Sequence, residues 1–177
     1  TMSDDVTSIG DYVFNSCVAL ESIKLPSSLT SLGANAFNGC SALKSVEIPE
    51  GVISIGNNSF QNCSALETVN LPTGLKTLGT YMFDGCSMLK SIAVPEAITT
   101  IGNYMFRNCT SLASVTMGSK VTTISQYAFN GCSALQAIEL PSTVTSIAQY
   151  AFANCSSLKS ISVPEGVTTI NNYTFQN

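Results

Sequence analysis

The side chains able to carry chemistry in this 177-residue chain are seven cysteines, six tyrosines, seven basic and eleven acidic residues, with no histidine. Thiols form disulfides, hold metals or act as nucleophiles. Here Cys17, Cys40, Cys63, Cys86, Cys109, Cys132 and Cys155 each follow the last by 23 residues. An odd count leaves at least one thiol unpaired. In stacked coils about 5 Å apart, equivalent Cα atoms would lie within disulfide range, but their Cβ vectors would run parallel instead of converging. Zinc needs ligands that converge on a point, and there is neither a histidine nor a close cysteine pair. The spacing therefore predicts a ladder of buried free thiols acting as small hydrophobes, with no metal and no cofactor.

Catalysis by carboxylates or serines fares no better. With no histidine the usual general base is missing. Asp4 and Asp5 are adjacent and would point apart in an extended segment. Asp84 with Lys90, and Arg107 with Lys120, read as isolated solvated charges. The chain is expected not to be an enzyme. Its net charge of −4 and singly scattered lysines lack the basic stripe that nucleic-acid binding requires. No apolar run approaches the ~20 residues of a membrane-spanning helix.

All these residue types are positioned by one repeating unit, clearest in Leu32–Pro49. Phe14, Phe37, Phe60, Phe83, Phe106, Phe129, Phe152 and Phe175 are all eight phenylalanines of the chain, again 23 residues apart. A fixed period of about 20–50 residues marks a solenoid, whose copies bury their apolar faces only by stacking. The expectation is a single solenoid of nearly eight coils over residues 1–177, a piece of a longer array without caps. In each copy, Val46-Glu47-Ile48 and its equivalents alternate in, out, in, the pattern of a half-buried strand. This predicts seven stacked parallel strands centred on Lys24, Glu47, Asn70, Ala93, Thr116, Glu139 and Ser162. Proline ends the strand at residues 26, 49, 72, 95, 141 and 164, and Pro49-Glu50-Gly51 suits a type I turn. A short Thr-rich element such as Val121-Thr122-Thr123-Ile124 follows and reads as extended. Phe37, Cys40 and Leu43, three apart, predict one 3₁₀ or short α turn. Gly39, Asn62, Gly85, Asn108, Gly131 and Asn154 before each cysteine are residues that tolerate the left-handed conformation ending such a turn. Ser16 is the exception.

Leu43-Lys44-Ser45-Val46-Glu47-Ile48-Pro49 and Ile55-Gly56-Asn57-Asn58-Ser59-Phe60-Gln61-Asn62-Cys63 resemble the 23-residue leucine-rich repeats of BspA-like surface proteins, from Thr7 to Gln176. The resemblance implies a right-handed leucine-rich-repeat solenoid, mostly β, with parallel strands on the concave face and short 3₁₀ or α turns and loops on the convex face. It also implies a non-catalytic adhesion module on the cell surface or secreted, binding host matrix or cell-surface proteins. Three departures stand out. Gly118 replaces the proline. Ser125, Ala148 and Asn171 replace the glycine after the second apolar pair. Asn35 and Asn58 replace a tyrosine.

Two surfaces are candidates for binding. The outward positions of the strands carry Lys24, Glu47, Asn70, Thr116 and Glu139 amid small residues, a strip suited to an extended partner or a protein loop. Opposite it, Tyr81, Tyr104, Tyr127 and Tyr150, with Tyr12 and Tyr173 in the same register, would form an aromatic ladder. That ladder serves protein or glycan contact, or only closes the convex edge. A spacer stalk without its own ligand is the alternative function. A remote one is ice binding by the paired threonines, Thr99-Thr100, Thr122-Thr123 and Thr168-Thr169. Uncovered apolar ends, around Val6, Ile9 and Phe14 and around Val163, Ile170 and Phe175, predict end-to-end self-association.

Overall fold

A computed structural model describes residues 2–177. Each coil contributes two short strands, and every pairing is parallel, to the equivalent strand one period away. Seven three-residue strands form the first row: Ser22–Lys24, Ser45–Glu47, Thr68–Asn70, Ser91–Ala93, Ser114–Thr116, Ala137–Glu139 and Ser160–Ser162. Their hydrogen-bonded core sits one residue earlier than the sequence suggests, centred on the inward Ile or Val. The alternation itself holds: Val46 is buried between exposed Ser45 and Glu47, and Ile48 is buried again. The Thr-rich segments are extended as expected, giving two-residue strands from Ser8–Ile9 to Ser146–Ile147.

The first row is not one ladder. It divides into groups of three, two and two strands, with breaks after Thr68–Asn70 and after Ser114–Thr116. The second break adjoins Gly118. A Cβ there would lie 2.7 Å from the Glu96 Cα and 2.8 Å from the Pro95 carbonyl oxygen. Proline is missing from this copy because the preceding coil occupies the space a side chain would need.

Between the phenylalanine and cysteine positions the chain turns without forming a helix, which corrects the expected 3₁₀ or α turn. Period-three spacing suits either, but the amides decide. Asn38 and Cys40 donate within the coil to the Asn35 and Phe37 carbonyls, at 3.2 and 3.1 Å. Asn35, Phe37 and Gly39 donate instead to the next coil, to Asn57, Ser59 and Gln61, each at 2.8 Å. Alternate N–H groups thus serve the stack, and a helix would have to withdraw them. Two residues per turn adopt the left-handed conformation. One is the predicted position before the cysteine, with Gly39 at φ 73° and Asn62 at φ 59°. The other is the tyrosine position, with Tyr104 at φ 57° and Asn35 at φ 55°.

Inside, seven consecutive phenylalanine pairs stack with ring centroids 5.1–5.7 Å apart. Cys40, Cys63, Cys86, Cys109, Cys132 and Cys155 are fully buried. Each thiol donates to the phenylalanine carbonyl of the preceding coil, as from Cys86 Sγ to the Phe60 oxygen at 3.1 Å. All seven cysteines are free, and Cys17 departs from the expected ladder of buried thiols in being exposed. Burial, with the neighbouring thiol second, pushes Cys63 up to about 12 from an ordinary 9.0. Burial alone raises Cys155 to about 12.

Candidate functional site

The strand face gathers the first set of candidate residues. Lys24, Glu47 and Asn70 line one groove of about 770 Å³ together with Asp4 and Glu50. Thr116 and Glu139 line a second, of about 570 Å³, where the first strand row is broken between Ser114–Thr116 and Ala137–Glu139. All five side chains are exposed. Among the described residues none of the three charges has an ion-pair partner. One row away the charges are paired between coils: Lys44 with Glu21 at 2.8 Å, and Lys90 with Glu67. The Lys44 hydrogen bond and charge hold the Glu21 carboxyl below its usual range. Both partners are well exposed, so the pair contributes little stability.

The second set forms a continuous stack. Tyr81, Tyr104, Tyr127, Tyr150 and Tyr173 lie ring on ring, with centroids 4.5, 4.8, 4.7 and 4.9 Å apart. Tyr12 shares the register but not the stack, because Asn35 and Asn58 intervene, and it is left 61% exposed. Loss of hydration, then the Tyr104 phenol, raises the Tyr81 hydroxyl. The rings cover each other's faces, leaving edges and hydroxyls outward.

At the N-terminal end of the stack lies a cluster that the sequence reading misassigned. Asp84 and Arg107, expected as isolated solvated charges, pair with each other across adjacent coils. Arg107 Nε and Nη2 donate to both Asp84 carboxylate oxygens, at 2.8 and 2.7 Å. The carboxylate is buried, 3% exposed, and so is no solvated surface charge. It also accepts from Gln61 Nε2 at 2.9 Å, and Gln61 Oε1 accepts in turn from Asn58 and Asn38. The guanidinium carbon sits 4.8 Å from the Tyr104 ring centroid. The Asp84 hydrogen bond raises the Arg107 pKa further. The signal was present in the sequence, since Asn38, Gln61, Asp84 and Arg107 follow one another at the repeat spacing.

Among the described residues, no group of three histidine, cysteine, aspartate or glutamate side chains could hold a metal ion. No helix is long and apolar enough to cross a membrane.

A parallel-strand solenoid of 23-residue coils with a phenylalanine core and repeating surface ladders defines a leucine-rich-repeat protein. The chain belongs to the BspA-type leucine-rich-repeat family, whose model matches residues 1–112 and 76–177. It is similar to a leucine-rich-repeat protein of T. pallidum, 32% identical over 86% of this chain and 72% of that one, with a TM-score of 0.82. It is also similar to one from Eubacterium ventriosum, 35% identical over 96% of this chain and 45% of that one, with a TM-score of 0.83. A leucine-rich cell-surface protein of Faecalibacterium prausnitzii is 34% identical over 88% of this chain and 42% of that one, with a TM-score of 0.70. The chain thus spans less than half of the last two proteins. No curated protein matches it.

Proposed function

We propose that the chain is a non-catalytic recognition module of a cell-surface or secreted protein, binding a partner protein through the face of the three-residue strands. The observation that carries this reading is the convergence of Lys24, Glu47 and Asn70 on one groove. Thr116 and Glu139 repeat the arrangement along the same face. Unpaired charges in a groove confer orientation and association rate on a complementary partner. Here the partner is an extended segment or loop presenting a basic group to Glu47 or Glu139, offered by host matrix or cell-surface proteins. The surface setting draws support from the description of the Faecalibacterium relative.

Surface plasmon resonance against immobilised extracellular-matrix proteins tests it. The wild-type chain should bind at least one of them. Glu47→Lys with Glu139→Lys should weaken that binding by about tenfold or more, a loss of about 1.4 kcal/mol, and remove most of its salt dependence. Unchanged binding by the double variant would move the site elsewhere. Binding to none would favour a spacer without its own ligand. The isolated 177-residue chain should also associate end to end, since Val13, Val163 and Ile170 are exposed at its terminal coils. Sedimentation that stays monomeric at high concentration would reject that.

A further inference from the structure

Two departures from the repeat coincide in the C-terminal coils, and together they build a second groove away from the strand face. In the earlier coils the position after the Thr-rich strand is closed by glycine. A Cβ on Gly33, Gly56 or Gly79 would lie 2.5, 2.5 or 2.4 Å from backbone of the preceding coil, so no side chain fits. At Gly102 the closest atoms are 3.6 Å away and belong to the Met105 and Thr80 side chains. From the next coil onward the position carries Ser125, Ala148 and Asn171. The space opened there is a groove of about 390 Å³, lined by Asn103, Thr123, Ser125, Gln126, Ser146 and Gln149 among others. No ionisable side chain lines it. Tyrosines fill the turn position in these same coils, and Gln126 and Gln149 directly precede Tyr127 and Tyr150 in the stack.

The hydrogen-bonding capacity of the groove is largely unspent. Asn103 Oδ1 accepts from the Gln126 backbone N–H at 3.1 Å, which leaves its amide nitrogen free to donate outward. Among the described residues, the Gln126 and Gln149 side-chain amides and the Ser125 and Ser146 hydroxyls have no protein partner. Each amide presents a donor and an acceptor side by side, and each hydroxyl is both. A charged ligand would find no counter-charge. An apolar side chain would find only Ala148, and would leave the amides desolvated and unpaired. The matching ligand carries adjacent groups that each donate and accept, without charge. We infer that this groove binds a neutral carbohydrate, with Gln126 and Gln149 meeting adjacent sugar hydroxyls. The site lies outside the strand-face grooves, so its fate is independent of the protein-binding reading.

The test uses immobilised neutral oligosaccharides ending in glucose, galactose, mannose or N-acetylglucosamine, beside sialylated and sulfated ones and an unstructured peptide. The chain has no tryptophan, so its emission is that of tyrosine, and Tyr127 and Tyr150 directly follow Gln126 and Gln149 in the chain. Saturable binding to at least one neutral sugar is expected, with a change in that emission. Gln126→Ala with Gln149→Ala should weaken it about tenfold, the effect of losing two neutral hydrogen bonds. The unfolding midpoint of that variant should stay close to wild type, because both side chains are unpartnered at the surface. Glu47→Lys should leave sugar binding unchanged. Binding confined to charged sugars or to the peptide, no saturable binding, or a double variant that binds like wild type would each overturn the assignment.

Discussion

The coils from Phe14 to Phe83 and those from Phe106 to Phe175 share one core and differ at the turn position and in the charged row beside the strands. In the former, turns with Asn35 and Asn58 feed a side-chain chain of hydrogen bonds through Gln61 to Asp84, and a neighbouring row alternates Glu21, Lys44, Glu67 and Lys90. In the latter, Tyr104, Tyr127, Tyr150 and Tyr173 continue a stack that begins on Tyr81, and the neighbouring row becomes Ala113, Gln136 and Lys159. The backbone at the turn position hardly changes, with φ between 55° and 61° throughout. Asparagine accepts that conformation readily, whereas for a bulky residue it is an outlier costing about 1–2 kcal/mol. Stacked aromatic pairs are worth about 0.5–1.5 kcal/mol each. A lone tyrosine at this position is therefore unfavourable, and a run of them is sustained by mutual contact. The coil dictates the backbone, and the ladder decides which side chains can tolerate it.

If the halves differ only at their surfaces, deletions in the core should weigh equally on both. Phe60→Ala and Phe129→Ala should each cost about 3–5 kcal/mol in urea unfolding, with Phe14→Ala costing less because that ring has a single stacking neighbour. Unequal central values would break the comparison. At the junction, Arg107→Ala strands the Asp84 carboxylate, and a loss of about 3 kcal/mol is expected, the low end for breaking a buried pair. A loss near zero would show that Gln61 alone can hold the charge. Alkaline pH acts on both halves through the thiols. Burial holds the folded pKa values of the six buried thiols above the unfolded one, so their contribution is complete below about pH 8.5. It falls as the pH rises toward about 12, by up to about 1.4 kcal/mol per thiol for each pH unit. Urea midpoints measured between pH 8 and 11 should decline, and less steeply for Cys86→Ala. Native Cys17 should react with a thiol reagent while the other six wait for unfolding.

Much of this fold could be read from the 23-residue recurrence. Phenylalanine and cysteine at one spacing and the alternation around Val46 place core, strand and stack without coordinates. The turn between Phe37 and Leu43 could not be read, because a helix and a string of turns share period three. Only the destination of the Asn35 and Gly39 amides separates them. The tyrosine position hid its left-handed backbone, since tyrosine is not a residue that announces it; Asn35 and Asn58 were the available clue. Asp84 reads as a solvated charge because no partner stands near it in sequence; its partner, Arg107, occupies the equivalent place one coil on. The groove beside Ser125 depends on backbone spacing that composition does not encode, although the loss of glycine at residues 125, 148 and 171 marked its location.

The smallest expected effect bears most directly on the claim that stacking sustains the strained turns. Tyr104 stacks on two rings and lies under Arg107. Tyr104→Asn installs the residue the backbone favours and removes both stacks. Equilibrium urea unfolding of that variant, beside Asn58→Tyr, measures the balance. If the rings sustain one another, Tyr104→Asn lowers stability by about 1 kcal/mol, two stacking losses less the relief of strain. A Tyr104→Asn chain more stable than wild type would contradict the account, showing that the stack does not offset its own backbone.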